Sequence, residues 1–173
     1  METGEPLEIE RKFLIRIPPE EILRAESTRR IAITQAYLLP GPEGENRRVR
    51  HSRWEGGEAR YYTEKKKITP VTRIERERTL TQAEYEALCR ELDPERRVIE
   101  KTRWCVPFAG HTLEIDVFPF WDDRAFCEAE LQREDEELRF PPWLEILREV
   151  TDDPRYTNSA LAREIPMDKL EEA

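Results

Sequence analysis

Apolar and polar residues alternate with a period of two in stretch after stretch from Glu8 to Gln132, and each stretch ends in a turn signal. The first is Glu8-Ile9-Glu10-Arg11-Lys12-Phe13-Leu14-Ile15. In a β-strand successive side chains point to opposite faces, so Glu8, Glu10 and Lys12 share one face while Ile9, Phe13 and Ile15 share the other. One face can bury itself on a core while the other presents two carboxylates and an ammonium. For a strand met alone, the ordinary reading is an antiparallel strand with one solvated, charged side. Recurrence of the pattern is what changes that reading.

The next strands are Ile31 to Leu39, closed by Pro40-Gly41-Pro42-Glu43-Gly44, and Arg47 to Arg53, with Arg48 and Arg50 on one face and Val49 on the other. After the turn Trp54-Glu55-Gly56-Gly57-Glu58 comes Ala59 to Ile68, in which Tyr61, Thr63, Lys65 and Lys67 share a parity. Thr72 to Leu80 sets Arg73, Glu75 and Glu77 against Ile74. Arg97 to Pro107 carries Lys101, Arg103 and Cys105 on one side and Trp104 and Val106 on the other. His111 to Phe120 has Thr112, Glu114, Asp116 and Phe118 against Leu113, Ile115 and Val117, and Phe126 to Gln132 ends the series with Glu128 and Glu130.

Helical signals are fewer. Pro18 to Ala25 opens with proline and acidic residues, as a helix N-terminus does. Thr81-Gln82-Ala83-Glu84 is a capping box for a helix over Tyr85 to Leu92. Trp143 to Val150 reads as an amphipathic turn or two, Tyr156 to Arg163 as a helix, and the acidic tail after Pro166 as frayed.

Eight largely antiparallel strands with short turns predict a closed or nearly closed barrel, an α+β fold that is mainly β. Its charged faces are sorted by strand. Glu8/Glu10, Glu75/Glu77, Glu114/Asp116 and Glu128/Glu130 are carboxylates two apart, and Arg48/Arg50 and Lys101/Arg103 are cations at that spacing, joined by Lys12 and Lys65. Turned inward, they make a lumen with acidic and basic walls, which suits a polyanion plus divalent metal: guanidinium and ammonium groups hold phosphate oxygens, and carboxylates hold the metal. Buried charge on this scale is tolerable only when paired or metal-bound.

With 173 residues the chain is expected to be one domain over 1–173, with strands over roughly 5–134 and a helical segment over roughly 135–166. Charged residues make up 39%, yet four Trp, six Phe and five Tyr argue for a packed core. A formal net charge of -9 argues against a general nucleic-acid binder. No apolar run approaches a membrane span and the acidic N-terminus lacks a signal-peptide pattern, so the expected address is cytoplasmic. Three cysteines and two histidines make a poor zinc set, so a metal here is expected to be oxygen-held Mg²⁺ or Mn²⁺.

Taken in order, Glu8-x-Glu10-x-Lys12, Arg48-x-Arg50, Thr63-x-Lys65, Glu75-x-Glu77, Lys101-x-Arg103, Glu114-x-Asp116 and Glu128-x-Glu130 resemble the signature of the triphosphate tunnel metalloenzymes, the CYTH superfamily. The segment Val150 to Ala162 is similar to the C-terminal helix of small bacterial members, which can plug one mouth of the tunnel. The resemblance implies an eight-stranded tunnel that cleaves the terminal phosphoryl group of a linear triphosphate with Mg²⁺ or Mn²⁺. It implies Glu8, Glu10 and Glu130, with Glu128 beside them, as metal ligands. Lys12, Arg48, Arg50, Lys65, Lys101 and Arg103 would line the triphosphate path. Glu75, Glu77, Glu114 and Asp116 would take a second metal or orient the attacking water.

Two registers stay open at this point, since a slip of one residue exchanges Lys66 for Lys65 and Arg47 for Arg48. Arg73, Arg76 and Arg78 are assigned to solvent or rim. Tripolyphosphate is the favoured substrate because a plugged tunnel suits a short linear chain. Nucleoside triphosphatase, thiamine triphosphatase and class IV adenylate cyclase use the same residues. A non-catalytic polyphosphate-binding barrel and a structural barrel with a charged exterior are the rivals of another class. The expected partner is a small-molecule triphosphate, with neither nucleic acid nor membrane; a homodimer is compatible with the sequence.

Overall fold

The computed structural model describes residues 7–42 and 46–170. The chain runs β1 (Leu7–Ile15), α1 (Glu20–Glu26), β2 (Arg29–Tyr37), β3 (Asn46–Trp54), β4 (Gly57–Lys67), β5 (Thr72–Leu80), α2 (Gln82–Leu88), β6 (Ile99–Phe108), β7 (His111–Val117), β8 (Ala125–Leu131), β9 (Ile146–Glu149) and α3 (Asn158–Leu161). All strand pairs are antiparallel, in the order β5-β4-β3-β2-β6-β7-β8-β1, and a β5–β1 pairing closes eight strands into a barrel. Part of the turn expected over Pro40 to Gly44 lies outside the described residues.

Closure is made over a short seam. β1 pairs with β8 from Ile9 to Ile15, but with β5 only from Leu7 to Ile9. The second half of that β1 edge is covered by β9, where Phe13 faces Glu149 and Leu14 faces Arg148. An uncovered edge would leave a row of unpaired N–H and C=O groups. Here the expectation of an amphipathic turn over Trp143 to Val150 is corrected: Ile146-Leu147-Arg148-Glu149 takes extended form because the open edge of β1 offers its backbone partners.

Three apolar clusters hold the barrel. Phe13, Ile15, Trp104, Val106, Leu113, Ile115 and Cys127 form an outer face that buries Leu23 of α1. Ala36, Leu38, Val49 and Leu80 form a second outer face, with Tyr85 and Leu88 of α2 packed on it. The capping box on α2 forms as expected, Thr81 and Glu84 each accepting from the other's backbone N–H. The third cluster fills one end of the barrel: Leu14, Tyr37, Ile99, Phe118 and Phe126 meet Val150, Tyr156 and Leu161.

That third cluster is the plug, in a form shorter than expected. The segment is a 3₁₀ turn over Pro154–Tyr156 followed by the four-residue α3, in place of one helix from Tyr156 to Arg163. Thr157 interrupts it: its side chain accepts from the Ala160 N–H as an N-cap, with extended backbone. The acidic tail, where fraying was expected, is tethered over its described part, and residues 171–173 lie outside the described residues. Trp121 Nε1 donates to the Pro166 carbonyl at 2.9 Å, and Arg124, itself 2% exposed, donates to the Asp168 carbonyl.

The β6–β7 hairpin turns through Ala109 (φ 48°) and Gly110 (φ 83°), a positive-φ pair that matches the strand twist. No helix among the described residues is long and apolar enough to cross a membrane. Leu161 is fully buried against the interior cluster, so Leu161→Ala is expected to cost about 2–5 kcal/mol, read from the urea unfolding midpoint.

Candidate active site

Strand parity and register decide what faces the lumen. Across β1 and β8, Glu10 lies opposite Glu130 and Lys12 opposite Glu128, and across β7 and β8 Glu114 lies opposite Glu128. Across β4 and β5, Lys65 lies opposite Glu75 and Thr63 opposite Glu77. Arg48 faces Thr63 and Arg50 faces Tyr61. These side chains surround an interior cavity of about 540 Å³. An acidic arc on β1, β8 and β7 (Glu8, Glu10, Glu128, Glu130, Glu114) meets a basic arc on β6, β3 and β4 (Arg103, Arg48, Arg50, Lys65), with Glu75 and Glu77 of β5 between β4 and β1.

Both open registers are resolved. Lys65 points inward and pairs with Glu8 at 3.0 Å, while Lys66 is exposed. Arg47 points outward to Tyr62 (2.9 Å), leaving Arg48 in the lumen.

Electrostatics differ along the arcs. Burial, then repulsion from Glu128, pushes the Glu10 carboxyl up to about 7 against the pull of Lys65. Burial and a hydrogen bond shared with Glu75 raise Glu8, and burial raises Glu114. Burial also opposes ionisation of Glu128, but Lys12, Arg103 and Lys101 outweigh it and hold that carboxyl well below its usual range. Lys12 Nζ sits 3.3 Å from Glu128, donates to the Tyr156 carbonyl at 3.2 Å and lies 4.7 Å above the Phe126 ring. On the other side Arg50 is pushed down to about 10 by burial and by repulsion from Arg48 and Arg103. Neither Arg48 nor Arg50 has a carboxylate at ion-pair distance among the described residues, and the Nε atoms of both are buried without a hydrogen-bond partner. Within the basic arc Arg48 and Arg50 therefore differ from Lys65 and Arg103, which are ion-paired.

No family model matches the sequence. Among curated proteins, it is 38% identical over 109 residues to an inorganic triphosphatase of Acetivibrio thermocellus, a match spanning 60% of this chain and 65% of the relative. To an inorganic triphosphatase of Nitrosomonas europaea it is 32% identical over 163 residues, spanning 92% of this chain and 99% of the relative. The chain belongs to the inorganic triphosphatases of the CYTH superfamily. A crystal structure of an inorganic triphosphatase superposes with a TM-score of 0.57 at 30% identity, covering 92% of this chain and 96% of the other.

Of the residues expected in this CYTH tunnel, twelve line the cavity: Glu8, Glu10, Lys12, Arg48, Arg50, Lys65, Glu75, Glu77, Arg103, Glu114, Glu128 and Glu130. Lys101 and Asp116 do not. They form a 2.8 Å pair whose side chains are fully buried behind the wall. Asp116 also accepts from Arg103 Nε (2.8 Å) and Nη2 (2.9 Å). Burial lifts the Asp116 carboxyl, but Arg103 and Lys101 outweigh it and keep it below its usual value. Asp116 thus accepts on both oxygens from Arg103 and Lys101, and Lys101 Nζ is turned to Asp116 instead of to the cavity. Together they fix the Arg103 guanidinium.

The cavity also takes residues with little sequence signal. Tyr37, Asn46 and the tail's Thr157, Asn158 and Ser159 line it, as do Lys67 and Arg73, whose parity on β4 and β5 matched Lys65 and Glu75. Lys101 Nζ reaches Asn158 Oδ1 at 3.5 Å and Arg96 reaches Ser159 Oγ at 3.0 Å, so the C-terminal segment is bonded to the barrel it closes.

The donor set is all oxygen, which fits a hard divalent cation. Among the described residues no three carboxylate, histidine or cysteine side chains are gathered into a ready cage. The acids instead lean on protein cations: Glu8 on Lys65, Glu128 on Lys12, and Glu114 on Arg103 at 2.5 Å. Glu128 Oε1 is buried with the 3.3 Å Lys12 ion pair as its contact and no well-aligned hydrogen bond, and Glu10 bears the like-charge strain a cation would relieve.

Two outcomes are expected. Asp116→Asn leaves Lys101 and Arg103 under-compensated in the wall and should cost about 3–5 kcal/mol by chemical denaturation. For Glu10, the folded state holds the proton up to about pH 7 while the unfolded chain releases it near 4.5, so ionising it costs folding stability progressively between those values. In chelator, Glu10→Gln should therefore gain stability over the parent as pH rises through that window, with no gain below it, when Tm is measured against pH.

Proposed function

We propose that this protein hydrolyses the terminal phosphoryl group of a linear triphosphate with Mg²⁺ or Mn²⁺, inorganic tripolyphosphate being its substrate. The observation that carries this reading is the pair Arg48 and Arg50, without a carboxylate at ion-pair distance among the described residues, facing an arc of carboxylates across one cavity. A monoanion would satisfy one side of that arrangement. A polyanion accompanied by a cation satisfies both.

In this reading Arg48, Arg50, Lys65 and Arg103 hold the phosphate oxygens, the guanidinium groups as two-pronged donors. Arg103 is pre-aligned because Asp116 grips its Nε and Nη2. Lys12, held by Glu128 and the Tyr156 carbonyl, donates to the oxygens nearest the acidic arc. Glu8, Glu10, Glu128 and Glu130 would hold the divalent ion. When bound, the divalent ion neutralises phosphate oxygens and eases departure of the leaving group. Glu75, Glu77 and Glu114 are placed to orient the attacking water and accept its proton. Positioning and charge neutralisation are most of what phosphoryl transfer asks of a protein, so no covalent nucleophile is needed.

Substrate length follows from the plug. Thr157, Asn158 and Ser159 enter the cavity wall from the C-terminal segment, which favours a bare three-phosphate chain over one carrying a nucleoside or thiamine at that end. Three free cysteines fit a reducing compartment, and we place the protein in the cytoplasm.

Phosphate release from tripolyphosphate, ATP and thiamine triphosphate tests this. Release from tripolyphosphate should depend on Mg²⁺ or Mn²⁺, stop with chelator, and fall by about 10²-fold or more in kcat/KM in Arg48→Ala and in Glu10→Gln. Faster release from ATP or thiamine triphosphate would reassign the substrate, cyclic AMP from ATP would make it a cyclase, and absence of any turnover would overturn the hydrolase.

A further inference from the structure

A recess of about 700 Å³ lies outside the tunnel and shares no lining residue with it. Four arginines, Arg24, Arg29, Arg30 and Arg53, and two tryptophans, Trp54 and Trp104, make its walls. Its place follows from β2. Tyr37, the last residue of that strand, touches the C-terminal plug, whereas Arg29 is its first, roughly 25 Å away at about 3.3 Å per residue. The recess is therefore at the barrel end remote from the plug.

This concentration of positive charge sits on a chain of net charge -9. Arg24 pairs with Glu20, but Arg29, Arg30 and Arg53 have no carboxylate at ion-pair distance among the described residues, and Glu55 is the sole acid in the wall. Arg53 is steered by Thr34 Oγ1 (3.1 Å) and His51 Nδ1 (3.1 Å). The indoles steer the rest: Arg29 lies 5.0 Å over Trp54, and Arg30 and Arg24 lie 5.5 and 5.9 Å over Trp104. Stacking on a ring face leaves the guanidinium edge and its N–H groups free for an anion. Ser27 Oγ, in the same wall, is buried without a hydrogen-bond partner.

We infer that this recess is a second anion site, which takes a stretch of linear inorganic polyphosphate. Magnitudes favour several phosphates in series. One exposed guanidinium–phosphate contact is worth about 1 kcal/mol in water, too little to retain a lone phosphate, so occupancy needs a ligand that meets several arginines at once. The stacked arginines already cover ring faces that unstacked bases would need, which disfavours single-stranded nucleic acid. The protein's negative field opposes a long duplex. A flexible phosphate chain has neither requirement. The inference does not depend on what the tunnel hydrolyses.

The test is calorimetric titration of the full chain with long-chain inorganic polyphosphate at low and moderate salt, with Trp fluorescence as a second signal. The proteins are the parent, Arg29→Ala/Arg30→Ala/Arg53→Ala, the milder Arg30→Gln, and the tunnel variant Arg48→Ala/Arg50→Ala. Expected are a loss of about tenfold or more in affinity and a shallower salt dependence in the triple recess variant, a smaller loss in Arg30→Gln, and retained binding in the tunnel variant. Tripolyphosphate hydrolysis should be unchanged in Arg30→Gln. Parent-like binding by both recess variants, abolition of binding by the tunnel variant, or tighter binding of single-stranded RNA than of polyphosphate would each overturn the inference.

Discussion

The interior of this barrel depends on compensation of charge at short range. A charged side chain withdrawn from water costs several kcal/mol, and the interior buries Lys12, Arg48, Lys101, Asp116 and Glu128. The pairings differ in completeness. Asp116, Lys101 and Arg103 form a closed knot that uses every Asp116 oxygen, and Glu8 with Lys65 is a simpler bond of the same kind. Glu10, Arg48 and Arg50 are left with partial partners. The settled groups give the wall its shape and the unsettled ones give it affinity.

That division explains why the cavity can be polar and still belong to a stable fold. Apolar burial is arranged around the lumen instead of within it: one sheet face packs under α1, another under α2, and a ring of aromatics stoppers one end. The charged residues are carried on strands whose opposite faces hold Phe13, Val49, Trp104 and Cys127, so register in the greasy layers sets register in the ionic one. A slip of one residue would bury a charge outside and expose a hydrophobe inside, which anchors the site more firmly than its own ion pairs do.

Strand number, closure and the inward face were legible because period-two alternation reports directly which side chains share a side. It placed Glu10 on the lumen face and Trp104 on the opposite, apolar face without knowledge of neighbours. The depth of a residue along the strand was not legible. Lys101 and Arg103 have the same parity and type, yet only Arg103 reaches the cavity, because its longer fork emerges past Asp116 while Lys101 lies level with the plug. β9 was missed for a related reason: four residues with no clear alternation become a strand only because β1 has an edge to cover. Thr157, Asn158 and Ser159 carry no pattern that marks them as cavity residues, since it is the fold that brings the tail there.

The pairing of β1 with β8 and β9 bears on how the protein is made. Lys12 leaves the ribosome well before its partners Glu128 and Tyr156, which follow it by more than a hundred residues. Until they emerge β1 has no neighbour on the β8 side and the lumen has no wall there, so although β2 to β5 and β6 to β8 can pair in sequence as they emerge, closure of the barrel must wait for non-local contacts. Translation at about 5–20 residues per second leaves a strand of mixed charge exposed for several seconds. The glutamates and lysine that later line the tunnel serve first as solubilising groups on that waiting strand, keeping the nascent chain from pairing with its neighbours.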